Sequence, residues 1–139
     1  MKIREILAKK DKKIITVDAH VTVSQAVAEM VAANVGSVIV LLDGVVEGIF
    51  TERDAMRIWN DYDKVTNAAV MKFMTTNLII TNADDTVENA MSVMSQKNFR
   101  HLLIVDGKRL LGVLSMKDVV KAYAGDLVAN VQYMEKLLM

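Results

Sequence analysis

The 139-residue chain contains no cysteine and no proline. Without cysteine there are no disulfides, no thiolate metal sites and no thiol nucleophile. Net charge is also missing, because 17 Lys and Arg balance 17 Asp and Glu. No overall field therefore steers the chain toward nucleic acid or an anionic membrane. Long apolar runs are absent, and the longest, Val38 to Leu42, is far short of a membrane span. The N-terminus, Met1 to Ile6, carries charge where a signal peptide needs an apolar stretch. A soluble, cytoplasmic protein is expected, with neither nucleic acid nor membrane as partner. Two histidines among scattered acids do not suggest a zinc site, so no metal is expected. What remains is a chain that is 53% apolar and 24% charged, enough for one ordinary domain or two small units sharing a core.

The chain repeats itself at an offset of 64 residues. Ile15/Ile79, Ala19/Ala83, Thr22/Thr86, Val23/Val87, Ala26/Ala90, Met30/Met94, Asn34/Asn98, Gly48/Gly112 and Asp54/Asp118 are identical pairs. One slip of a residue occurs at the turns, Asp43-Gly44 against Asp106-Gly107. Such agreement marks an internal duplication. Each copy begins with a β-rich run, Ile14 to Val17 or Leu78 to Thr81. Thr22 or Thr86 then caps a helix whose apolar residues recur at helical spacing. Two apolar runs joined by Asp-Gly follow as a hairpin, and a second helix starts near Thr51 or Ser115. The spacing predicts an α/β (α+β) protein of two pseudo-symmetric β-α-β-β-α repeats packed through their sheets. The expected boundaries are 1–62 and 63–124, with a polar link around 59–69 and a C-terminal amphipathic helix over 125–139. On that tail Leu127, Val131, Met134 and Leu138 form one stripe at spacings of four, three and four, which needs a partner. That partner is either the body of this chain or the same helix in a second copy, and a homodimer contact is the favoured expectation.

The two strand-to-helix turns carry the chemistry. They read Gly48-Ile49-Phe50-Thr51-Glu52-Arg53-Asp54 and Gly112-Val113-Leu114-Ser115-Met116-Lys117-Asp118. A helix start offers free N–H groups to an anion. Thr51 or Ser115 adds a hydroxyl, Arg53 or Lys117 a cation, and Asp54 or Asp118 a carboxylate able to hold a vicinal diol. A ribose phosphate presents that combination. The simpler reading is a helix cap, Thr-x-x-Asp, and cap and ligand site can coexist. Gly48 and Gly112 would let a ligand or a neighbouring strand approach the backbone.

Two β-α-β-β-α repeats, each with Gly-apolar-apolar-(Thr/Ser)-x-x-Asp, resemble a tandem CBS (cystathionine-β-synthase) domain protein over roughly residues 1–122. Arg100 to Asp106 is similar to the family's second-strand pattern. The resemblance implies a non-catalytic regulatory module that binds AMP, ADP, ATP, NAD or S-adenosylmethionine in clefts between the repeats. It also implies an unknown protein partner regulated in trans. Carried over by motif, Asp54 and Asp118 hold ribose hydroxyls, Thr51 and Ser115 contact ribose or phosphate, and Arg53 and Lys117 lie near phosphate. Backbone near Thr16-Val17 and Ile80-Thr81 lines the adenine. Arg100 and His101, followed by Leu102, are expected at the phosphates, whereas the first copy has Gly36 and Ser37 there. The two sites are therefore expected to be unequal.

Other features have plainer readings. His20 is surface, Asp84-Asp85 is charge at a helix start, and Trp59 packs or lines an interface. No nucleophile–base pair or phosphate loop of the Walker type occurs, so an enzyme is not expected. The alternative to a ligand sensor is a ligand-free structural dimerisation module.

Overall fold

The computed structural model describes residues 1–10 and 14–138. Its elements run α1 (Ile3–Lys9), β1 (Thr16–Asp18), α2 (Val23–Ala33), β2 (Ser37–Leu42), β3 (Val45–Thr51), α3 (Glu52–Arg57) and a short α4 (Tyr62–Val65). They continue with β4 (Ile79–Asn82), α5 (Val87–Lys97), β5 (His101–Asp106), β6 (Arg109–Ser115) and α6 (Met116–Leu138). The β-α-β-β-α order stands twice, in a mixed α+β fold with two three-stranded sheets, β1-β2-β3 and β4-β5-β6. In each sheet the first pair is parallel and the second antiparallel. The opening strands lie slightly later than their β-rich runs.

Identical pairs in the duplication have physical causes. Thr22 and Thr86 are N-caps, accepting from the N–H groups of Gln25 and Asn89 at 3.1 Å each. Asn34 and Asn98 end α2 and α5 in the left-handed conformation, φ 53° and 55°, which asparagine tolerates. Val23/Val87, Ala26/Ala90 and Met30/Met94 are buried in matching cores. Val31, next to the buried Met30 in α2, is exposed.

The hairpins correct a detail. In the first, Asp43 and Gly44 are the loop, both at positive φ, as a type I′ turn requires. In the second, Asp106 still pairs with Arg109, so the loop is Gly107-Lys108, and only Gly107 has positive φ. That is the type II′ pattern. The apparent slip disappears, because the loops themselves align at the offset of 64.

The compact units are Lys12–Asn77 in one case and Met1–Asp11 with Leu78–Met139 in the other. They do not coincide with 1–62 and 63–124, because the leading segments are exchanged. Ile3 and Arg4 donate N–H bonds to the carbonyls of Asp85 and Ala83, and Val87 donates to Met1. In the other unit Val70 and Met71 donate to Val21 and Ala19, and Val23 donates to Ala68. The same pattern is thus repeated, with the leading segments displaced by 67 residues rather than 64. Residues 59–69, read as a polar link, belong to the unit they follow: Ile58 and Tyr62 pack on its core, and Ala68 accepts from Val23.

The expected helix over 125–139 is the second part of α6, which starts at Met116 and passes through Gly125 without a break. Met139 lies outside the described residues. From Leu127 onward the helix is exposed on all sides, including Val131, Met134 and Leu138.

Candidate functional site

In the unit formed by Lys12–Asn77, β3 ends at Thr51, whose side chain caps α3. Asp54 N–H donates to Thr51 Oγ1 at 3.2 Å, and Asp54 Oδ2 accepts from Thr51 N and Thr51 Oγ1, both at 3.0 Å. Asp54 Oδ1 accepts from Thr75 Oγ1 at 2.8 Å and from an Arg57 guanidinium N–H at 3.4 Å. Asp54 is 2% exposed and Thr51 6%. This carboxylate is buried and its acceptor sites are taken by the chain itself.

The second turn has the same cap with a different environment. Asp118 N–H donates to Ser115 Oγ at 3.1 Å, and Asp118 Oδ2 accepts from Ser115 N at 2.9 Å. The remaining partner is Lys10, just past α1, whose Nζ donates to Asp118 Oδ2 and to the Val113 carbonyl, each at 3.0 Å. Side chains of Lys10 and Asp118 are each 33% exposed. Partial burial pushes the Asp118 pKa up, but the Ser115 N–H and the Lys10 ammonium outweigh it. The carboxyl is held below the usual aspartate range.

The neighbouring candidates fall around these turns. Ser37 pairs with Thr51 across β2–β3, and the Gly36 carbonyl accepts from Glu52 N–H at 3.0 Å. His101 pairs with Ser115 across β5–β6, and the Arg100 carbonyl accepts from Met116 N–H at 2.7 Å. Sheet register therefore brings Gly36, Ser37, Thr51 and Asp54 together in one unit. It brings Arg100, His101, Ser115 and Asp118 together in the other. Arg53, Lys117 and Arg100 are exposed, and so are Thr16 and Ile80. Val17 and Leu102 point their side chains into the cores, which leaves only their backbones for a ligand. Thr81 Oγ1 donates to Asp85 Oδ2 at 3.0 Å.

The repeated glycine of each turn has a neighbour of its own. A Cβ on Gly48 would stand 2.5 Å from the Thr75 carbonyl oxygen, where Ile49 and Thr75 bridge. On Gly112 it would stand 3.0 Å from Leu7 Cδ2. The leading segments, rather than a ligand, occupy the space that these glycines open.

Several residues escaped the sequence reading. Lys10 and Thr75 lie far in sequence from the aspartates they hold. Asp84, read as helix-start charge, accepts from Arg4 Nε at 3.2 Å, and Arg4 also reaches Asp106 at 3.1 Å. Asp85 does serve the start of α5, accepting from Thr86 N–H and the Asn89 amide. Among the described residues no group of three His, Asp or Glu could hold a metal ion, and no helix is long and apolar enough to cross a membrane.

Known proteins are similar to this chain in sequence and fold. The family model described as CBS domain matches residues 3–61 and 70–125. The CBS domain-containing protein YhcV of Bacillus subtilis is 28% identical over 126 residues, 87% of this chain and 90% of its own length. The crystal structure of a CBS-domain containing protein from Agrobacterium tumefaciens is 32% identical, covers 88% of this chain and 92% of its own, and superposes with a TM-score of 0.74. A CBS domain protein from Pyrobaculum aerophilum complexed with AMP is 20% identical, with 85% and 89% covered and a TM-score of 0.66. With both repeats matched and the cap, hairpin and glycine of each accounted for, the chain belongs to the CBS domain family.

Proposed function

We propose that the protein is a non-catalytic regulatory module that binds an adenosine-containing ligand (AMP, ADP, ATP, NAD or S-adenosylmethionine), with the Asp118 turn as the working site. One observation carries this reading. Asp118 is partly exposed and its outer partner is a single lysine ammonium, which ribose hydroxyls can replace. Asp54 would have to give up Thr75 and Arg57 to do the same. Arg100 and His101 beside Ser115 add basic character to the same turn. That a protein of the same fold carries AMP supports the choice of ligand class.

Binding regulates a partner in trans by favouring one of two arrangements of the protein, and its size is set by the difference in affinity for the two. The exposed stripe of α6 is the surface for a second copy of the chain, and light scattering on L127D/V131D tests it through loss of the dimer. The competing reading, a ligand-free structural module, is favoured at the first turn, where every oxygen of Asp54 is already used.

Titration calorimetry with AMP, ATP, NAD and S-adenosylmethionine decides between them. D118A is expected to weaken binding about ten- to a hundredfold, the loss of about 1.5–3 kcal/mol of hydrogen bonding to a charged group. Equal affinity in the wild type and D118A, or no heat with any of the four, refutes the assignment.

A further inference from the structure

A pocket of about 590 Å³ lies beside the Asp118 turn, between α1 and α6, within the unit of Met1–Asp11 and Leu78–Met139. Ligand sites commonly enclose roughly 300–1,000 Å³. Its walls are mixed in character: Met1 and Ile6 supply apolar surface, while Lys9, Lys10 and Lys121 line it together with Asp118. Arg100, His101 and Lys117, the basic residues expected at the phosphates, are not among its lining residues.

The charges in this pocket are not balanced. Lys10 is committed to Asp118 and the Val113 carbonyl. Among the described residues Lys9 and Lys121 make no ion pair, and the one remaining acid on the wall is Asp126. The duplication shows that this arrangement differs from its copy. Arg57, the counterpart of Lys121 at the offset of 64, is spent on Asp54. Lys121 leaves Asp118 to Lys10 and keeps its own charge for the pocket. Such a concave, partly apolar, net cationic wall fits an anion attached to a less polar body.

We propose that this pocket is the phosphate subsite of the ligand, with Lys9 and Lys121 as standing phosphate contacts and Lys10 as an exchangeable one. The proposal rests on the reading of Asp118 as the ribose grip. In the free protein Lys10 neutralises a half-buried carboxylate. When a vicinal diol takes the Asp118 oxygens, the Lys10 ammonium is released toward the phosphate of the same ligand. A nucleoside without phosphate gains from the first exchange only, so the affinity order adenosine, AMP, ADP, ATP rises along the series.

The experiment compares adenosine, ATP and inorganic pyrophosphate by calorimetry on the full chain, in wild type, K9A/K121A, R100A and the control R109A, each checked for an unchanged melting temperature. The double variant is expected to lose about tenfold or more in ATP and pyrophosphate affinity and to keep adenosine affinity within about twofold. R109A, with its exposed side chain away from the pocket, is expected to match wild type. If R100A carries the ATP loss and K9A/K121A binds like wild type, the phosphate subsite lies elsewhere and the proposal falls while the nucleoside reading stands. If pyrophosphate binds through the lysines but no adenosine compound binds, the nucleoside reading falls and the anion site stands. Absence of binding by all three overturns both.

Discussion

The two turns share a hydroxyl, a carboxylate and a cap, yet one is closed and the other open. Asp54 accepts from Thr51 twice and from Thr75 and Arg57, all within its own unit. Asp118 accepts from Ser115 and Lys10 and stays partly exposed. The difference traces to the leading segments and the following helix, not to the motif. At the displacement of 67, the counterpart of Thr75 is Ala8, which has no hydroxyl to offer. At the offset of 64, the counterpart of Arg57 is Lys121, which makes no bond to Asp118. The same carboxylate in a duplicated protein is thus a buried cap with every oxygen taken in one copy and a partly exposed cap, held from outside by one lysine, in the other.

The largest expected effect strikes the closed turn. D54A removes a buried carboxylate that satisfies two hydroxyls, a backbone N–H and a guanidinium, and should cost about 3 kcal/mol in urea unfolding. D118A removes one partly exposed cap and should cost about 1 kcal/mol. Equal losses would mean that both aspartates are structural to the same degree, and the contrast would fail.

A smaller asymmetry is expected at the glycines. G48A forces a methyl group to 2.5 Å from a backbone carbonyl that is itself hydrogen-bonded to Ile49, so strand or segment must move. Overpacking of that kind costs about 1–3 kcal/mol. G112A meets only the end of the Leu7 side chain at 3.0 Å, which can rotate away. Its cost should stay below about 1 kcal/mol. Thermal melts of both variants give the order, and a more damaging G112A would show that α1 is held more rigidly than Leu7 suggests.

What the sequence revealed follows from which forces are local. Caps, hairpin loops and helical apolar spacing involve residues a few positions apart, so Thr22, Thr86, Asp43-Gly44 and the two β-α-β-β-α units could be read directly. The exchange of leading segments could not, because the bonds of Ile3 to Asp85 and Val70 to Val21 join residues across some fifty to eighty positions and the displacement changes from 64 to 67. The site was half legible for the same reason. Thr51, Asp54, Ser115 and Asp118 carry a local pattern. Their distant partners, Thr75 and Lys10, decide which aspartate is accessible, and neither belongs to a motif. Arg100 and His101 stood out as a basic pair with no equal at Gly36 and Ser37, while the three lysines of the pocket that Asp118 lines were scattered over α1, its end and α6.

The smallest effect isolates Lys10. Ser115 N–H and the Lys10 ammonium together hold Asp118 below the ordinary aspartate pKa of about 3.9, against the opposing push of burial. A carboxyl whose folded pKa is depressed contributes stability above its unfolded value and loses it as pH falls through the folded one. The loss therefore falls in acid, below the ordinary aspartate value, and solvent screening of a one-third exposed pair keeps it small. K10M removes the ammonium and retains much of the aliphatic stem, so the Asp118 midpoint should move upward, read from the side-chain carboxyl resonance during a pH titration. A saturating nucleotide should make that midpoint insensitive to K10M if ribose hydroxyls have replaced the ammonium at Oδ2. An Asp118 midpoint that ignores K10M even in the free protein would mean that the Ser115 cap alone holds the carboxylate, and the open turn would be a second closed one.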